Sequence, residues 1–149
     1  MSSMTNRGKA ILLSSTFQGV NTPTQFTLHL ILSDSPEPGP LTDTLSELTE
    51  LSRTEYEPAV VSREEASFLL TEGDVGEASY IVLPDVSFTA GVNRIPLDEG
   101  HYIGFVVLCD QDENVLAYWS GESGYISPGR SLILQAFTIT LSDYSNPGT

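Results

Sequence analysis

Three side chains in one short acidic stretch could bind a cation. Asp110, Asp112 and Asn114 occupy alternate positions, and alternate residues of a tight turn can direct their oxygens at one ion. A calcium loop also needs a glycine at its sixth position and a bidentate glutamate at its twelfth, where this chain has Val115 and Gly121. The sequence therefore favours a hairpin turn, and we expect no metal ion and no other cofactor.

A nucleophilic enzyme needs a hydroxyl or thiol with a base within hydrogen-bond reach. The stretch 121–124, GESG, resembles the start of a nucleophile elbow but lacks the final glycine at the required spacing. His29 and His101 lie in no recognisable motif, so each is expected to be a half-exposed sheet residue. Cys109 stands in an apolar run without a cationic neighbour, which is typical of a small buried hydrophobe. We therefore expect no catalytic residues and no enzymatic activity.

Aromatic residues gather after this acidic stretch. Tyr118, Trp119 and Tyr125 could form a patch on which sugars stack, as in a carbohydrate-binding module. Trp119 could equally be the core tryptophan of a β-sandwich, because aromatic side chains are common in such cores. The core interpretation is favoured, and sugar binding stays as the alternative.

All these residues lie in or beside Tyr102–Trp119, the stretch around which the chain is organised. Two apolar runs rich in β-branched and aromatic residues flank the turn-forming residues Asp110 to Asn114, which predicts a β-hairpin. Both runs are apolar at consecutive positions, so we expect strands that are covered on both faces.

Further strands are predicted from alternation and from turn signals. The segment 24–33 places Phe26, Leu28, Leu30 and Leu32 on one face, and that single face is expected in the core. The loop 120–130 should close with a Pro128-Gly129 turn. The remaining predicted strands are 56–62, 79–83, 86–90 and one long last strand, 132–141; the segment 64–70 fits either a helical turn or a strand, and 72–77 a turn.

Helical signals are few. Residues 1–9 are small and polar and are expected to form a flexible lead, and 9–20 could form a short helix ended by Gly19. The prolines of the stretch 34–40, DSPEPGP, break the sheet, and Thr42 or Thr44 could then cap a short helix over 45–51, with Glu47 completing a capping box.

These elements predict an all-β fold, an antiparallel β-sandwich with a short N-terminal helix or arm and one short helix in the 42–51 connection. We expect an N-terminal arm or short helix at 1–23, the sandwich domain at 24–143 and a polar C-terminal tail at 144–149.

Charge and composition restrict the partners. The chain of 149 residues has a net charge of -14, which disfavours nucleic acid because phosphates would be repelled. A single cysteine cannot form an internal disulfide, and no apolar run reaches membrane-spanning length. We therefore expect synthesis in the cytoplasm and no membrane partner. Residues 1–33 contain no acidic residue, whereas 34–77 contain twelve. Either the acid-free segment is an arm that packs on a partner while the acidic region faces solvent, or 1–33 is simply an ordinary helix and core strand.

Five stretches together cover most of the chain from residue 25 to 143: FTLHLILSDSPEPG, LTELSRTEYEPAVVS, DVSFTAG, GFVVLCDQDENVLAYWSG and SPGRSLILQAFTITLSD. In order, they resemble a family of short virion proteins of tailed bacteriophages, of the tail-fibre or head-decoration (cement) type. The resemblance implies a β-sandwich and a structural role in the virion.

On that resemblance, the leading expectation is a non-enzymatic capsid decoration protein that binds the outside of the head shell and stabilises it. It would be made in the cytoplasm of the bacterial host. Its partner would be the major capsid protein or another virion protein, with copies forming a homo-oligomer on the particle. A tail-fibre or baseplate component is the alternative within the same class. The candidate partner contacts are Ile11, Leu12, Leu13, Phe17 and Tyr144.

Overall fold

The computed structural model describes residues 2–64, 67–73, 78–135 and 137–141. Over those residues the fold is all-β, with several antiparallel sheets and a short N-terminal helix, as the sequence predicts. The strands are β1 Ser2–Met4, β2 Phe26–Leu32, β3 Ala59–Val61, β4 Leu69–Thr71, β5 Ser79–Val82, β6 Val86–Thr89, β7 Ile103–Cys109, β8 Val115–Gly124, β9 Ser131–Leu134 and β10 Thr138–Leu141.

The strands form three antiparallel sheets. The largest has the order β1-β8-β7-β2-β3, a second has the order β10-β5-β4, and β6 pairs with β9. One face of the large sheet packs on residues from the smaller sheets, as in a sandwich. The buried members of this main core are Leu28, Leu30, Leu51, Tyr56, Val61, Leu83, Phe88, Ala90, Ile95, Ile103, Val106, Leu108, Ala117, Trp119, Ile126 and Leu134.

The hairpin predicted at the centre of the chain is confirmed. Strands β7 and β8 pair from Cys109 opposite Val115 to Ile103 opposite Gly124, with the register shifting between Leu108 and Cys109 and between Ile103 and Phe105. Both faces are covered: Leu108 belongs to the main core, whereas Val107 and Cys109 belong to a second apolar cluster on the other face. Burial of a leucine or valine side chain contributes about 1.5–3 kcal/mol, so this double coverage makes the hairpin a large source of stability.

The prediction for β2 is wrong in one respect. Leu28 and Leu30 lie in the main core as expected, but the opposite face is buried as well. Ile31 is fully buried in the second cluster, and His29 is 3% exposed. The connection through Leu45 and Leu51 folds back over this sheet, with the amide of Leu51 bonded to the Leu30 carbonyl at 3.0 Å. Alternation along one strand does not reveal such a covering segment.

The single last strand predicted over 132–141 is also wrong. Strands β9 and β10 are separate, because β9 pairs with β6 and β10 pairs with β5. Between β5 and β6 stands Pro84, which has no N–H to give to a ladder. The last strand is interrupted opposite this break. The sequence 132–141 contains no glycine or proline of its own that would signal it.

The loop predicted after Trp119 begins later than expected. Strand β8 continues through exposed residues to Gly124 because its backbone pairs with the whole length of β7. The Pro128-Gly129 turn is confirmed: Gly129 has a φ of 74°, and the amide of Arg130 donates to the Ser127 carbonyl at 3.0 Å. The ambiguous segment 64–70 fits both alternatives in part: the amides of Ser67 and Phe68 donate to the Glu64 carbonyl as in a helical turn, and Leu69 and Leu70 belong to strand β4.

The N-terminal region contains the helix α1, Asn6–Leu13, followed by a π-helical turn over Ser14–Gln18. Gly19 ends it in the left-handed conformation with a φ of 68°, as predicted. The flexible lead predicted for 1–9 is wrong for the described residues, because β1 pairs with β8 and the N-cap of α1 is Thr5.

The helix predicted over 45–51 is shorter, a 3₁₀ turn at Leu45–Glu47. The Glu47 carboxylate accepts from the Thr44 amide at 2.7 Å, as the capping box requires, and backbone amides at its oxygens lower the pKa of Glu47. Beyond this turn the chain is extended, and Glu50 pairs with Ile31 in an isolated bridge. The tail 144–149 and most of the turn predicted at 72–77 lie outside the described residues.

Candidate functional site

Three of the five predicted partner contacts are exposed apolar side chains on the N-terminal helical segment. Leu12 is 39% exposed, Leu13 56% and Phe17 80%. Together with Val20, which follows the π-helical turn, they make a surface that we call the apolar helix face. Ile11 is buried, so its side chain anchors the helix and is not available to contact a partner. Tyr144 lies outside the described residues.

The apolar helix face is held firmly on the large sheet. Thr5 is fully buried; its hydroxyl accepts from the Gly8 amide at 2.8 Å and donates to the Val115 carbonyl of β8. Gly8 rests directly on the backbone of Leu116. A helix tied to the sheet by both a side-chain cap and a backbone contact presents its outer side chains in a fixed position.

A groove of about 640 Å³ runs beside the helix. Leu12 belongs both to the groove and to the apolar helix face, so the two surfaces are continuous. The apolar residues that line the groove include Met4, Ile11, Leu12, Phe26, Phe68, Leu70, Ile81 and Ile139. A protruding apolar side chain of a partner could bind there.

A second site contains chemistry that the sequence did not reveal. On the outer face of β2, the Oγ1 of Thr27 lies 2.8 Å from Nε2 of His29. The other ring nitrogen of His29, Nδ1, lies 2.9 Å from Oε2 of Glu50. The hydroxyl, imidazole and carboxylate therefore form a continuous line of hydrogen bonds, which we call the Thr-His-Glu line.

The carboxylate of Glu50 is held from two further sides. The Tyr56 hydroxyl donates to Oε2, and the Arg53 guanidinium contacts Oε1 at 3.1 Å and also reaches Glu113 at 2.7 Å. Burial would raise the pKa of Glu50, but hydrogen bonds from His29, Arg53 and Tyr56 outweigh it and lower the pKa to about 2. The carboxylate is therefore ionised at neutral pH.

The same contacts act on the partners of Glu50. Burial and the adjacent carboxylate raise the pKa of Tyr56 well above its usual range, so its phenol stays protonated and donating. Hydrogen bonds to Glu50 and Glu113 raise the pKa of Arg53 further. The amide of Leu30 bonds to the Tyr56 oxygen at 3.2 Å, which ties the network to the sheet.

A polar groove of about 610 Å³ opens beside the Thr-His-Glu line. Thr27 and His29 lie in its wall. The other residues that line it are Gln25, Arg53, Glu57, Pro58, Val60, Asp110, Gln111, Asp112 and Glu113. The excess of carboxylates gives the groove a negative potential, which favours neutral or cationic molecules over anions.

The acidic turn uses its oxygens internally. Oδ1 of Asp110 accepts from the amides of Asp112 and Asn114 at 3.0 and 2.9 Å, and Oδ2 accepts from the Asn114 side chain at 2.9 Å. These bonds are those of a hairpin turn, the interpretation that the sequence favours. Among the described residues, no group of three or more histidine, cysteine or acidic side chains is arranged to hold a metal ion.

The aromatic residues divide between core and surface. Trp119 is buried in the main core, stacks on Phe137 with ring centroids 4.9 Å apart and confirms the core interpretation. Tyr118 packs on the second cluster instead. Tyr125 is exposed and covers the guanidinium of Arg94, 4.0 Å from the ring centroid. The three residues proposed as a sugar patch therefore do not form one surface.

The two histidines have different surroundings. His101 is 43% exposed and lies 3.8 Å from Asp98, so the predicted half-exposure is correct, but the residue precedes strand β7 and is not part of a sheet. For His29 that prediction is wrong, because the connection that carries Glu50 covers it. The spacing Thr27-x-His29 places both side chains on one face of a strand and is a signal that could have been noticed. Glu50, 21 residues away, gives no such signal.

Comparison with family models, curated proteins and solved structures gave no significant match. Within the described part of the chain, no helix has the length and apolar character needed to cross a lipid bilayer. The function is therefore inferred from the sequence and from the geometry of the side chains.

Proposed function

We propose that this chain is a virion structural protein that decorates the outer surface of a phage capsid shell, bridging neighbouring coat subunits. The resemblance to short virion proteins suggests this class, and one structural observation supports it most: an apolar surface stands on a firmly anchored helix. Leu13 and Phe17 are exposed there without an acidic residue in the surrounding sequence 1–33. An exposed apolar surface of this kind is typical of an interaction site.

The distribution of charge along the sequence fits attachment to the shell through the N-terminal segment. Residues 1–33 carry two basic residues and no acidic one, whereas the rest of the chain carries four basic and all twenty acidic residues. Lys9 is exposed on α1, and Arg7 forms an ion pair with Asp43 at 3.3 Å. The acidic regions would face solvent and keep unattached copies apart.

Attachment of this kind requires no chemical step. A protein that binds the assembled shell, and not its separated subunits, stabilises the shell by mass action. With copies bound across neighbouring subunits, release of one coat subunit would break contacts to several decoration copies. The proposed partner is the major capsid protein or another virion protein, and the copies would be organised as a homo-oligomer by the symmetry of the shell.

The double variant Leu13→Ser/Phe17→Ser is expected to weaken attachment to shells by about 100-fold or more. Burial of each large apolar side chain is worth about 1.5–3 kcal/mol, and 1.4 kcal/mol corresponds to tenfold in Kd. Co-sedimentation of purified protein with undecorated shells measures the effect. Melting curves of the variant should match those of the wild type, because both side chains are exposed in the free protein.

The matched control is Leu41→Ser/Val92→Ser. These side chains are 80% and 91% exposed but lie outside the helix, so their loss should leave attachment unchanged. Equal binding by the helix variant and the wild type would contradict the proposed surface. Equal losses in both variants would show that attachment depends on general surface hydrophobicity.

The position and copy number of the protein in purified virions test the class itself. Hundreds of copies over the head, quantified against the coat protein, would support decoration. A few copies at the tail would favour a tail-fibre or baseplate component. Absence from particles would leave sugar binding, and Tyr125 with its neighbour Tyr102 would then be the exposed aromatic pair to test by glycan titration.

A further inference from the structure

We propose that Thr27 is a nucleophilic hydroxyl, activated by His29 and oriented through Glu50, that reacts with small neutral carboxylic esters in the polar groove. This activity goes beyond attachment to a capsid and departs from the sequence-based expectation that the chain has no catalytic residues. It does not depend on the proposed virion role, because the groove and the apolar helix face are made of different residues.

The order of atoms in the Thr-His-Glu line is that of an activated nucleophile. The hydroxyl lies 2.8 Å from one ring nitrogen of His29, and the carboxylate lies 2.9 Å from the other. A nucleophile and a base within about 2.6–3.2 Å, with the base oriented by a third group, are the geometric signature of nucleophilic catalysis. Thr27 and His29 have this geometry because residues two apart on a strand share a face.

The surroundings of Glu50 determine which ring nitrogen carries the proton. The carboxylate already receives hydrogen bonds from Tyr56 and Arg53 and is ionised, so Nδ1 of His29 donates to it. In the neutral imidazole, Nε2 then has a free lone pair, which accepts the hydroxyl proton of Thr27. Glu50 is thus a positioning residue, and His29 is the base.

The reacting hydroxyl is accessible. Thr27 is partly exposed and lies in the wall of the polar groove, which has the volume of a small-molecule site. Glu57, Asp110 and Glu113 give the groove its negative potential and select against anionic substrates. The side-chain amide of Gln25 also lines the groove and could donate an N–H to a carbonyl oxygen, whereas the amide nitrogen of Gln111 already donates to Asp112 at 3.3 Å.

The proposed reaction is an acyl transfer. Oγ1 of Thr27 attacks the ester carbonyl carbon while Nε2 of His29 takes the hydroxyl proton. The tetrahedral intermediate collapses, the bond to the leaving alkoxide breaks, and His29 returns the proton to that alkoxide. A water molecule then attacks the acyl-Thr27 ester with His29 again as base, which releases the carboxylic acid and restores the hydroxyl.

p-Nitrophenyl acetate is a suitable neutral probe. Release of p-nitrophenolate gives the rate, and mass spectrometry of peptides from the intact, folded protein locates the acetyl group. Thr27 should acquire acetyl at least about 100-fold faster than Thr89, in line with the usual contribution of a positioned general base. Thr89 is an internal control, because its exposed hydroxyl pairs with the Ser131 hydroxyl at 2.7 Å and not with an imidazole. Acetylation at Lys9, the single lysine, is distinguished by its peptide.

Variants separate activation from simple exposure. Thr27→Val, which preserves the shape of the side chain, should remove the fast acetylation, and Thr27→Ser should retain it. His29→Gln should lower the rate at residue 27 to that at Thr89. Glu50→Gln should slow Thr27 and leave Thr89 unchanged, while Glu50→Asp, which keeps the charge, should recover part of the rate.

Melting curves establish whether each variant is folded. If His29→Gln does not fold, Thr27→Val alone tests the proposal. Equal acetylation rates at Thr27 and Thr89 in the wild type would overturn the proposal. So would an unchanged release of p-nitrophenolate by folded Thr27→Val.

Discussion

Gly8→Ala is expected to lower the free energy of unfolding by about 3 kcal/mol, although alanine is the better helix former by roughly 1 kcal/mol. A Cβ at Gly8 would clash with the carbonyl oxygen of Leu116 and lie 2.8 Å from its Cα and 2.9 Å from its carbonyl carbon. These are backbone atoms of a central hairpin strand and cannot rotate away as a flexible side chain would. Urea unfolding followed by circular dichroism measures the loss.

Gly121→Ala is the matched control. Gly121 lies in β8, the strand that also contains Leu116, and a Cβ at Gly121 would meet nothing within 4 Å. Its substitution should change stability by less than about 0.5 kcal/mol, as is usual for surface positions. If Gly8→Ala were as stable as the wild type, the helix could move away from the sheet without cost, and the apolar helix face would not be held in a fixed position.

The second large effect is expected in acid. The folded-state pKa of Glu50 is about 2, against 4.5 for an unperturbed glutamate. A depressed pKa adds stability that is present above pH 4.5 and is lost as the pH falls from 4.5 towards 2. A shift of this size corresponds to about 3 kcal/mol, since one pKa unit is worth about 1.4 kcal/mol. Protonation also weakens the charge-assisted bonds from His29 and Arg53.

Unfolding free energies of the wild type and Glu50→Gln, measured from pH 7 to pH 2, test this expectation. The wild type should be the more stable at pH 7, and the difference should shrink as the pH falls below 4.5. Glu122→Gln, a change at an exposed position of β8, serves as the control and should follow the wild type throughout. Parallel curves for wild type and Glu50→Gln would contradict the assigned role of Glu50.

Local signals in the sequence were sufficient for the hairpin. Turn-forming residues between two β-branched and aromatic runs predict it. The exact pairing was not local: a register shift between Leu108 and Cys109 places Leu108 opposite Ala117 and Val107 opposite Tyr118. The end of the N-terminal helix at Gly19 and the capping box of Glu47 were as local as the turn. In each case the interacting groups are within a few residues of one another.

The features that were missed depend on contacts between distant segments. The break between β9 and β10 lies opposite the stretch between β5 and β6 that contains Pro84, and the burial of His29 depends on the connection that crosses β2. The candidate partner contacts follow from the composition of the N-terminal segment, and three of them are exposed in the structure. The Thr-His-Glu line gave no local signal, because Glu50 reaches His29 only when that connection folds back.

The single thiol of the chain can report how often the core opens. Cys109 is fully buried at the end of β7, and burial together with Glu113 and Asp110 raises the pKa of its thiol. A thiol reagent must therefore wait for the hairpin to open before it can react. The labelling rate in native buffer gives the free energy of these opening events. A value below the free energy of global unfolding indicates local fraying of the acidic turn, and an equal value indicates unfolding of the whole domain. The wild-type chain thus contains its own probe of hairpin dynamics.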